Sequence, residues 1–570
     1  MIELFYKYKD IDNNLIFELK YNKNLIYNSL EIKPGENIIS QTNINNFLFA
    51  LLNEDDLKLY YNNDKFVILE KEKYKYSIKH KELEQLNFKP FPHQVDAFNY
   101  HVKHKQWLLL DSMGLGKTLE IIGAAELLYK RGLIEHCLII CGVNSIKENW
   151  LNEIKKYSSL SGTILGRKVS KNGKVSYRSV KECVELLKHP IEEFFVITNI
   201  EKLRGGGKKG KDKEKDLTAA LLKGKNDFGM IVVDEIHRTN NKKSQQGAHL
   251  LKLSSEYMVG VTGTLITNNP ISAYLPLVFT KNDNSILTTY RPQYEIKDAD
   301  DRVIGYQNLD VLREEVESCS LRRTLPQIRS DMPGKFIEYE YIEMEPDHKK
   351  FYDEIVDGIG TQVDLINLET SNLLALTTRL RQASVDPSIL SSNDIKSSKI
   401  LRCLDLVEEI LSQGEKVVIM SNFIQPIKTL SEALKEYKPL LILGELSAGE
   451  RQHNNNLFQE NDDYKIIMGT HQAMGTGLTF NSSMYLIMLD TPWTYSSFDQ
   501  SCDRIYRVNN TRPAFIKVLE NVGTIDTKIH EVLDEKKEYE DYIVDGKEKT
   551  VDRVQLESQR ELFLRLLSEN

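Results

Sequence analysis

A chain of 570 residues is too long for one hydrophobic core, so about three or four folding units are expected. Hydrophobic residues make up 41% and charged residues 28%, the composition of an ordinary soluble globular protein. The formal net charge of -8 argues against a histone-like or polybasic nucleic-acid binder, but not against a local basic groove.

The opening MIELFYKYKDIDNN has no apolar core of signal-peptide length, and no run of about 18 apolar residues follows. The expectation is a protein without secretion or membrane signal, in the cytoplasm or, if viral, in the interior of a host cell. The cysteines at 137, 141, 183, 319, 403 and 502 form no C-x-x-C pair. Cys137 and Cys141 lie on one apolar strand, roughly 13 Å apart, too far to share a metal. This usage suits a reducing compartment.

In chain order, residues 1–84 alternate apolar and polar, as in NLIFELKY and KFVILEKEKYKY, and predict a small N-terminal α+β module. FKPFPHQ marks a boundary. Over 85–285 the apolar runs QWLLLD, CLIICGV, FFVITN, GMIVVDE and YMVGVTG alternate with helical patterns, which predicts a parallel sheet flanked by helices. The lysine- and glycine-rich RGGGKKGKDKEKD at 204–216 lacks apolar anchors and reads as a loop, with DNA contact as the alternative. Residues 286–395 read as a helical insert. A second strand–helix series occupies 396–535, and a charged helical tail closes the chain at 536–570.

DSMGLGKT, Asp111–Thr118, ends like a phosphate-binding loop but has aspartate where the first glycine belongs. An apolar strand precedes it, and the spacing of Ile121, Ala124, Ala125 and Leu128 predicts a helix after it. Gly114 and Gly116 free backbone N–H groups to face phosphates, with Ser112, Met113 and Leu115 completing the loop. Lys117 would reach the β- and γ-phosphates of ATP and Thr118 would hold Mg²⁺. MIVVDEIHR ends a strand in two acids: Asp234 is placed for a second Mg²⁺ contact, and Glu235 to polarise the attacking water.

These motifs resemble those of superfamily 2 helicase-like ATPases. The loop resembles the DEMGLGKT of Swi/Snf-type double-stranded-DNA translocases, where Asp111 is expected and Ser112 replaces a glutamate. The resemblance covers about 85–535 and implies an α/β fold with two RecA-like parallel-sheet domains, a helical insert and the small N-terminal α+β module. FPHQVDAFNY resembles the adenine-recognising segment, with Gln94 as reader. LIICGVNSIKENWLNEIKKY resembles motif Ia, with Gly142 in place of proline, and ITNIEKLR resembles motif Ib, containing Thr198. VGVTGTLITNNP resembles motif III, in which Thr262 and Thr264, with His237 of motif II, couple hydrolysis to motion; Leu265 replaces a proline. KVVIMSNF, with Ser421, GTHQAMGTGLTF, with Thr470, Gly475 and Gly477, and DQSCDRIYRVNN resemble motifs IV, V and VI. MGTGLTFNSS and CDRIYR look nearest the branch of annealing helicases and fork remodellers. Tyr506, Asn509 and Asn510 depart from the family pattern.

In motif VI the spacing of Gln500, Asp503, Arg504 and Arg507 predicts one helix face, with Phe498, Cys502 and Ile505 opposite. By the resemblance, Arg504 and Arg507 would reach outward to ATP held by the first domain. The family implies a DNA-stimulated ATPase, using ATP and Mg²⁺, that tracks duplex or branched DNA in replication, recombination or repair. A strand-unwinding or branch-migrating helicase, a chromatin remodeller, and an ATP-gated scaffold binding DNA without turnover stand as alternatives. The N-terminal module could grip DNA, a protein partner, or neither.

Overall fold

The computed structural model describes strands within residues 2–69 (2–9, 15–20, 25–27, 30–32, 35–39, 57–62 and 65–69) and residues 78–547. Within the latter range, 143–145, 171–174, 204–215, 240–244, 268, 284, 300, 363–369, 476–477 and 508–509 are excepted. The basic loop except Asp216, Gly477 of motif V, Asn509 of motif VI, and the tail from 548 onward therefore lie outside the described residues.

The chain divides into two compact units, Met1–His104 and Lys105–Asn570. In the first, strands Gly35–Ile39, Leu15–Lys20, Ile2–Lys9, Leu57–Asn62 and Lys65–Leu69 form, in that order, a mixed five-stranded sheet. This unit ends in the helix Pro92–Lys103, started by a proline whose missing N–H costs nothing at that position. Gln94, the expected adenine reader, is buried here, and its Oε1 accepts from Phe91 N–H at 3.0 Å, capping its own helix.

The second unit holds two parallel sheets. Strands β1 (Gln106–Leu109), β2 (Cys137–Cys141), β3 (Gly162–Ile164), β4 (Phe195–Asn199), β5 (Met230–Asp234), β6 (Tyr257–Val261) and β7 (Ser320–Leu321) form the first sheet. Its order is β3-β4-β2-β5-β6-β1-β7. Strands β8 (Lys335–Ile342), β9 (Val417–Ser421), β10 (Leu440–Ile442), β11 (Ile466–Thr470), β12 (Tyr485–Met488) and β13 (Ala514–Asn521) form the second. Its order is β8-β13-β12-β9-β11-β10. Every apolar run read as a strand in the two α/β segments is one.

Both faces of the second sheet are covered, and β9 shows why its sequence is continuously apolar. Val417 and Ile419 enter one core with Cys403, Val407 and Leu430, whereas Val418 and Met420 enter another with Phe458, Met474 and Phe498. The segment expected to be a helical insert also holds strands, including the antiparallel pair Glu295–Lys297 and Val303–Tyr306. It contributes β7 to the first sheet and β8 to the second, because SLRR and KFIEYEYI supply extended, partly covered edges to the sheets they join. The boundary expected at 535/536 falls inside one helix, Ile525–Ile543. That helix is continuous because it packs twice: Ile525, Ile529 and Leu533 against the insert, and Tyr539 and Ile543 in the first-sheet core.

Candidate active site

Helix α1 (Lys117–Lys130) begins directly after the glycine turn at the end of β1. Gly114 and Gly116 have φ of 83° and 87°, left-handed values that a side chain would make costly. Lys117 Nζ curls back onto the loop, donating to the carbonyls of Asp111 at 2.7 Å and Ser112 at 3.3 Å. Burial lowers its pKa, against the attraction of Glu235, Asp111 and Asp234. Thr118 occupies the first turn of α1.

Asp234 ends β5, in register with Cys141 and Val261. Its Oδ2 accepts from the Trp150 indole at 2.8 Å and its Oδ1 from Glu235 N–H at 2.9 Å. Burial and the adjacent Glu235 charge push its pKa up to about 6. Trp150, on α2 (Ile146–Tyr157), thus tethers the metal-binding candidate. The sequence marked this tryptophan only as part of a motif, because its partner lies 84 positions away.

Glu235 adopts φ of 52°, rare for a residue with a side chain. Its Oε2 is buried and lies 3.3 Å from His237 Nδ1. That nitrogen lies 2.8 Å from Thr262 Oγ1. The Thr262 hydroxyl donates to the Thr264 carbonyl at 2.8 Å, so it accepts from the histidine, fixing Nδ1 as protonated. Burial lowers the His237 pKa to about 3, so the ring is neutral. The expected coupling of His237, Thr262 and Thr264 is therefore a continuous hydrogen-bonded chain.

Two departures from the family pattern have a geometric reason. Gly142 N–H donates to the Asp234 carbonyl at 2.9 Å, which proline cannot do, and a Cβ there would lie 2.9 Å from two carbonyl oxygens. Leu265 N–H and Ile266 N–H donate, at 3.0 and 2.6 Å, to the buried carboxylate of Glu540.

The second domain closes over the loop. Leu115 packs in the core cluster of the second sheet, and a Cβ at Gly114 would stand 3.4 Å from Arg507 Cα. Three expectations are corrected here. Leu115 faces that core, not a nucleotide, because its apolar side chain fills the second domain's surface. Asp111, expected to bind nucleotide, gives its carboxylate to Arg323 Nε at 3.1 and 3.0 Å. Helix α3 (Tyr495–Cys502) ends before Asp503, so Gln500, Asp503, Arg504 and Arg507 do not share one helix face. The Arg504 carbonyl is taken by Phe480 N–H at 2.7 Å, which pulls the chain out of the helix.

Neither arginine points freely outward. Arg504 is buried and donates to the carbonyls of Gln500 at 2.9 Å and Leu478 at 2.8 Å. Burial and the charge of Arg507 lower its pKa to about 10, while Glu235 opposes that shift. Arg507 Nε contacts the Asp503 carbonyl at 3.3 Å, and its charge acts on Glu153 of α2.

Of the remaining candidates, Thr198 is buried, and its hydroxyl has no hydrogen-bond partner among the described residues. Ser421 Oγ donates to Asp490 Oδ1 at 2.6 Å. Thr470 caps the turn after β11, and Gly475 N–H bonds the His471 carbonyl at 2.7 Å. Thr470, Gly475 and Gln500 line a cleft of about 480 Å³, together with Arg238, Arg451 and Trp493. Arg451 Nε is buried without a hydrogen-bond partner among the described residues. Among the described residues no cluster of three or more His, Cys, Asp or Glu could hold a metal, all six cysteines are buried, and no helix is long and apolar enough to cross a membrane.

Residues 48–389 match the SNF2-related domain, more than half of the chain, and 398–509 match the helicase conserved C-terminal domain. The chain belongs to the SNF2-related family. It is 24% identical over 441 residues to the uncharacterized ATP-dependent helicase MG018 of Mycoplasma genitalium, covering 76% of this chain and 39% of that protein. The putative ATP-dependent helicase/translocase YwqA of Bacillus subtilis is 24% identical, covering 80% and 48%. The DNA repair and recombination protein RAD54 of Saccharomyces cerevisiae is 23% identical, covering 80% and 55%. This SNF2-related chain thus spans roughly half, or less, of the length of these curated relatives. The SWI2/SNF2 ATPase core of Sulfolobus solfataricus, solved in complex with dsDNA, aligns at 23% identity with a TM-score of 0.36, covering 81% of this chain and 94% of that one.

Proposed function

We propose that the chain is a DNA-stimulated ATPase that moves along duplex DNA. The observation that carries this reading is the approach of the Arg507 backbone and stem to Gly114, so close that a Cβ there would stand 3.4 Å from Arg507 Cα, which brings motif VI of one domain against the phosphate loop of the other. Two domains that meet over a phosphate can convert its cleavage into relative motion. RAD54 and YwqA, by their names a repair protein and a translocase, are relatives with the same family core.

In this reading Lys117 leaves the loop carbonyls for the phosphates of ATP, and the backbone N–H groups around Gly114 and Gly116 orient them. Glu235 positions the attacking water and accepts its proton. Arg507, with Arg504 behind it, offsets charge as the phosphoryl group leaves. Mg²⁺ suits the donor set of Thr118 and Asp234. It binds through one or two protein oxygens plus substrate phosphates and needs no dedicated cage. When bound it neutralises charge on those phosphates.

The cleft holding Arg238 and Arg451 would grip DNA phosphates without reading sequence. Duplex or branched DNA is the substrate of this reading. The test is steady-state ATP turnover with duplex, single-stranded and forked DNA. Turnover that duplex or forked DNA raises severalfold, and that Lys117→Ala abolishes, supports the reading. Turnover indifferent to every DNA sinks it.

A further inference from the structure

Asp111 stands where the general phosphate-loop pattern has glycine, and its buried carboxylate does not face the glycine turn that would hold phosphate. It is fully occupied by Arg323, whose Nε lies 3.1 and 3.0 Å from its two oxygens and whose Nη2 also bonds Oδ2. The same Nη2 reaches Glu120 Oε1 on α1 at 2.9 Å.

Arg323 is also held by its backbone. Leu110 N–H donates to the Leu321 carbonyl and Ser112 N–H to the Arg323 carbonyl, both at 2.9 Å, extending the β7–β1 pairing into the loop. Its neighbour Arg322 donates to the carbonyls of Leu110 at 2.6 Å and Gly263 at 2.9 Å, so this dipeptide touches both the loop and motif III. Two residues beyond Arg323, Leu325 lies in the core cluster of the second sheet beside Leu115. Lys335 then opens β8. Arg323 thus stands two residues before the chain enters the second-sheet core.

We propose that Asp111 and Arg323 form a joint through which the segment linking the two sheets sets the position of the phosphate loop. Arg323 acts through Asp111 and is a positioning residue. A second domain that rotates pulls on Leu325 and Arg323, and the rigid guanidinium fork passes the displacement to the loop. A glycine at position 111 would remove the carboxylate that ties the Arg323 side chain to the loop, leaving the main-chain bonds and the Arg322 bonds to the Leu110 and Gly263 carbonyls.

This inference rests on the ATPase reading, and the experiment separates the two. The full chain is purified as Arg323→Gln, Arg323→Lys, Asp111→Asn and the double Asp111→Asn/Arg323→Gln variant. Binding of a fluorescent ATP analogue and turnover with duplex DNA are measured on each, with melting temperature as a check on folding. Arg323→Gln is expected to keep analogue affinity within about threefold of the parent while duplex-stimulated kcat falls about tenfold. Arg323→Lys restores part of that loss. Asp111→Asn, which keeps the side-chain size, loses a similar factor, and the double variant falls no further than the worse single, as for two residues acting as one unit. Should Arg323→Gln fail to fold, Asp111→Asn and Arg323→Lys carry the same comparison. Parent-like turnover in Asp111→Asn or Arg323→Gln overturns the inference. So does a double variant whose loss is the product of the single losses, or an Asp111→Asn that weakens analogue binding more than about tenfold. A parent chain without DNA-stimulated turnover overturns the ATPase reading instead.

Discussion

Glu235 sits at the junction of three constraints. Its backbone is left-handed, its N–H is held by the Asp234 carboxylate, and its Oε2 is buried beside a neutral His237. A residue kept in such a conformation costs of order 1–3 kcal/mol, which the surrounding contacts must offset. Glu235→Gln keeps the shape and removes the proton acceptor. Its turnover is expected to fall about 100-fold or more while binding of an ATP analogue persists. A variant turning over within tenfold of the parent would remove Glu235 from this role. The residues proposed to touch phosphate were legible in the sequence because that chemistry requires glycine, lysine and acids at short fixed spacing. The surroundings of Asp111 and Leu115 were not. Arg323 lies 212 positions from Asp111, and the core that receives Leu115 belongs to the other domain.

At the scale of elements, motif VI shows how a spacing that fits a helix can carry another geometry. The spacing of Gln500, Asp503, Arg504 and Arg507 fits a helical wheel, but α3 stops at Cys502 because Phe480 captures the Arg504 carbonyl. Periodicity cannot register a competing donor from another loop. The apolar half of the pattern held, since Phe498, Cys502 and Ile505 are all buried. The resulting arrangement separates the two arginines: the Arg507 backbone and stem lie close to the phosphate loop, and Arg504 bonds carbonyls of its own domain. Arg507→Ala should therefore reduce kcat with little change in melting temperature, whereas Arg504→Ala should reduce both. Equal melting temperatures with unchanged DNA-stimulated kcat in both would discard the cross-domain role.

The long C-terminal helix supports a second expectation at this scale. Burial pushes the Glu540 carboxyl up to about 7, while Arg322 and the amides of Ile266 and Leu265 pull it back. An acid whose folded pKa lies above its ordinary 4.5 binds more protons folded than unfolded between about 4.5 and about 7. Its contribution to stability is therefore present below that window and falls as pH rises through it. Glu540→Gln should flatten the decline in melting temperature from pH 5 to about 7.5 relative to the parent. An unchanged slope would remove Glu540 as its source.

Over the whole molecule, a net charge of -8 coexists with a cleft that gathers Arg238 and Arg451. In the proposed reading such a surface would repel DNA at large and accept it at that cleft, so affinity should fall steeply with salt. Arg451→Ala should weaken duplex binding to a similar degree for different sequences, and lower the log–log salt slope by about 1. A slope equal to the parent's would mean that Arg451 meets no phosphate. This cleft was not legible in the sequence as a unit, because Arg238, Arg451 and Trp493 come from distant segments and Arg238 reaches it from the first domain.

The chain passes between the two sheets more than once. It leaves the first after Arg323, and Ile525–Ile543 returns to seat Tyr539 and Ile543 in the first-sheet core. Arg322 and Asp545, 2.7 Å apart, bring the outgoing and returning segments together. A single cut at Asp331–Gly334, where the backbone runs along the surface, would consequently not free the halves. The two fragments should co-elute on gel filtration after protease nicking and separate only in denaturant. The molecule is buckled as well as hinged, and a split version of it, expressed as two polypeptides, should reassemble unaided.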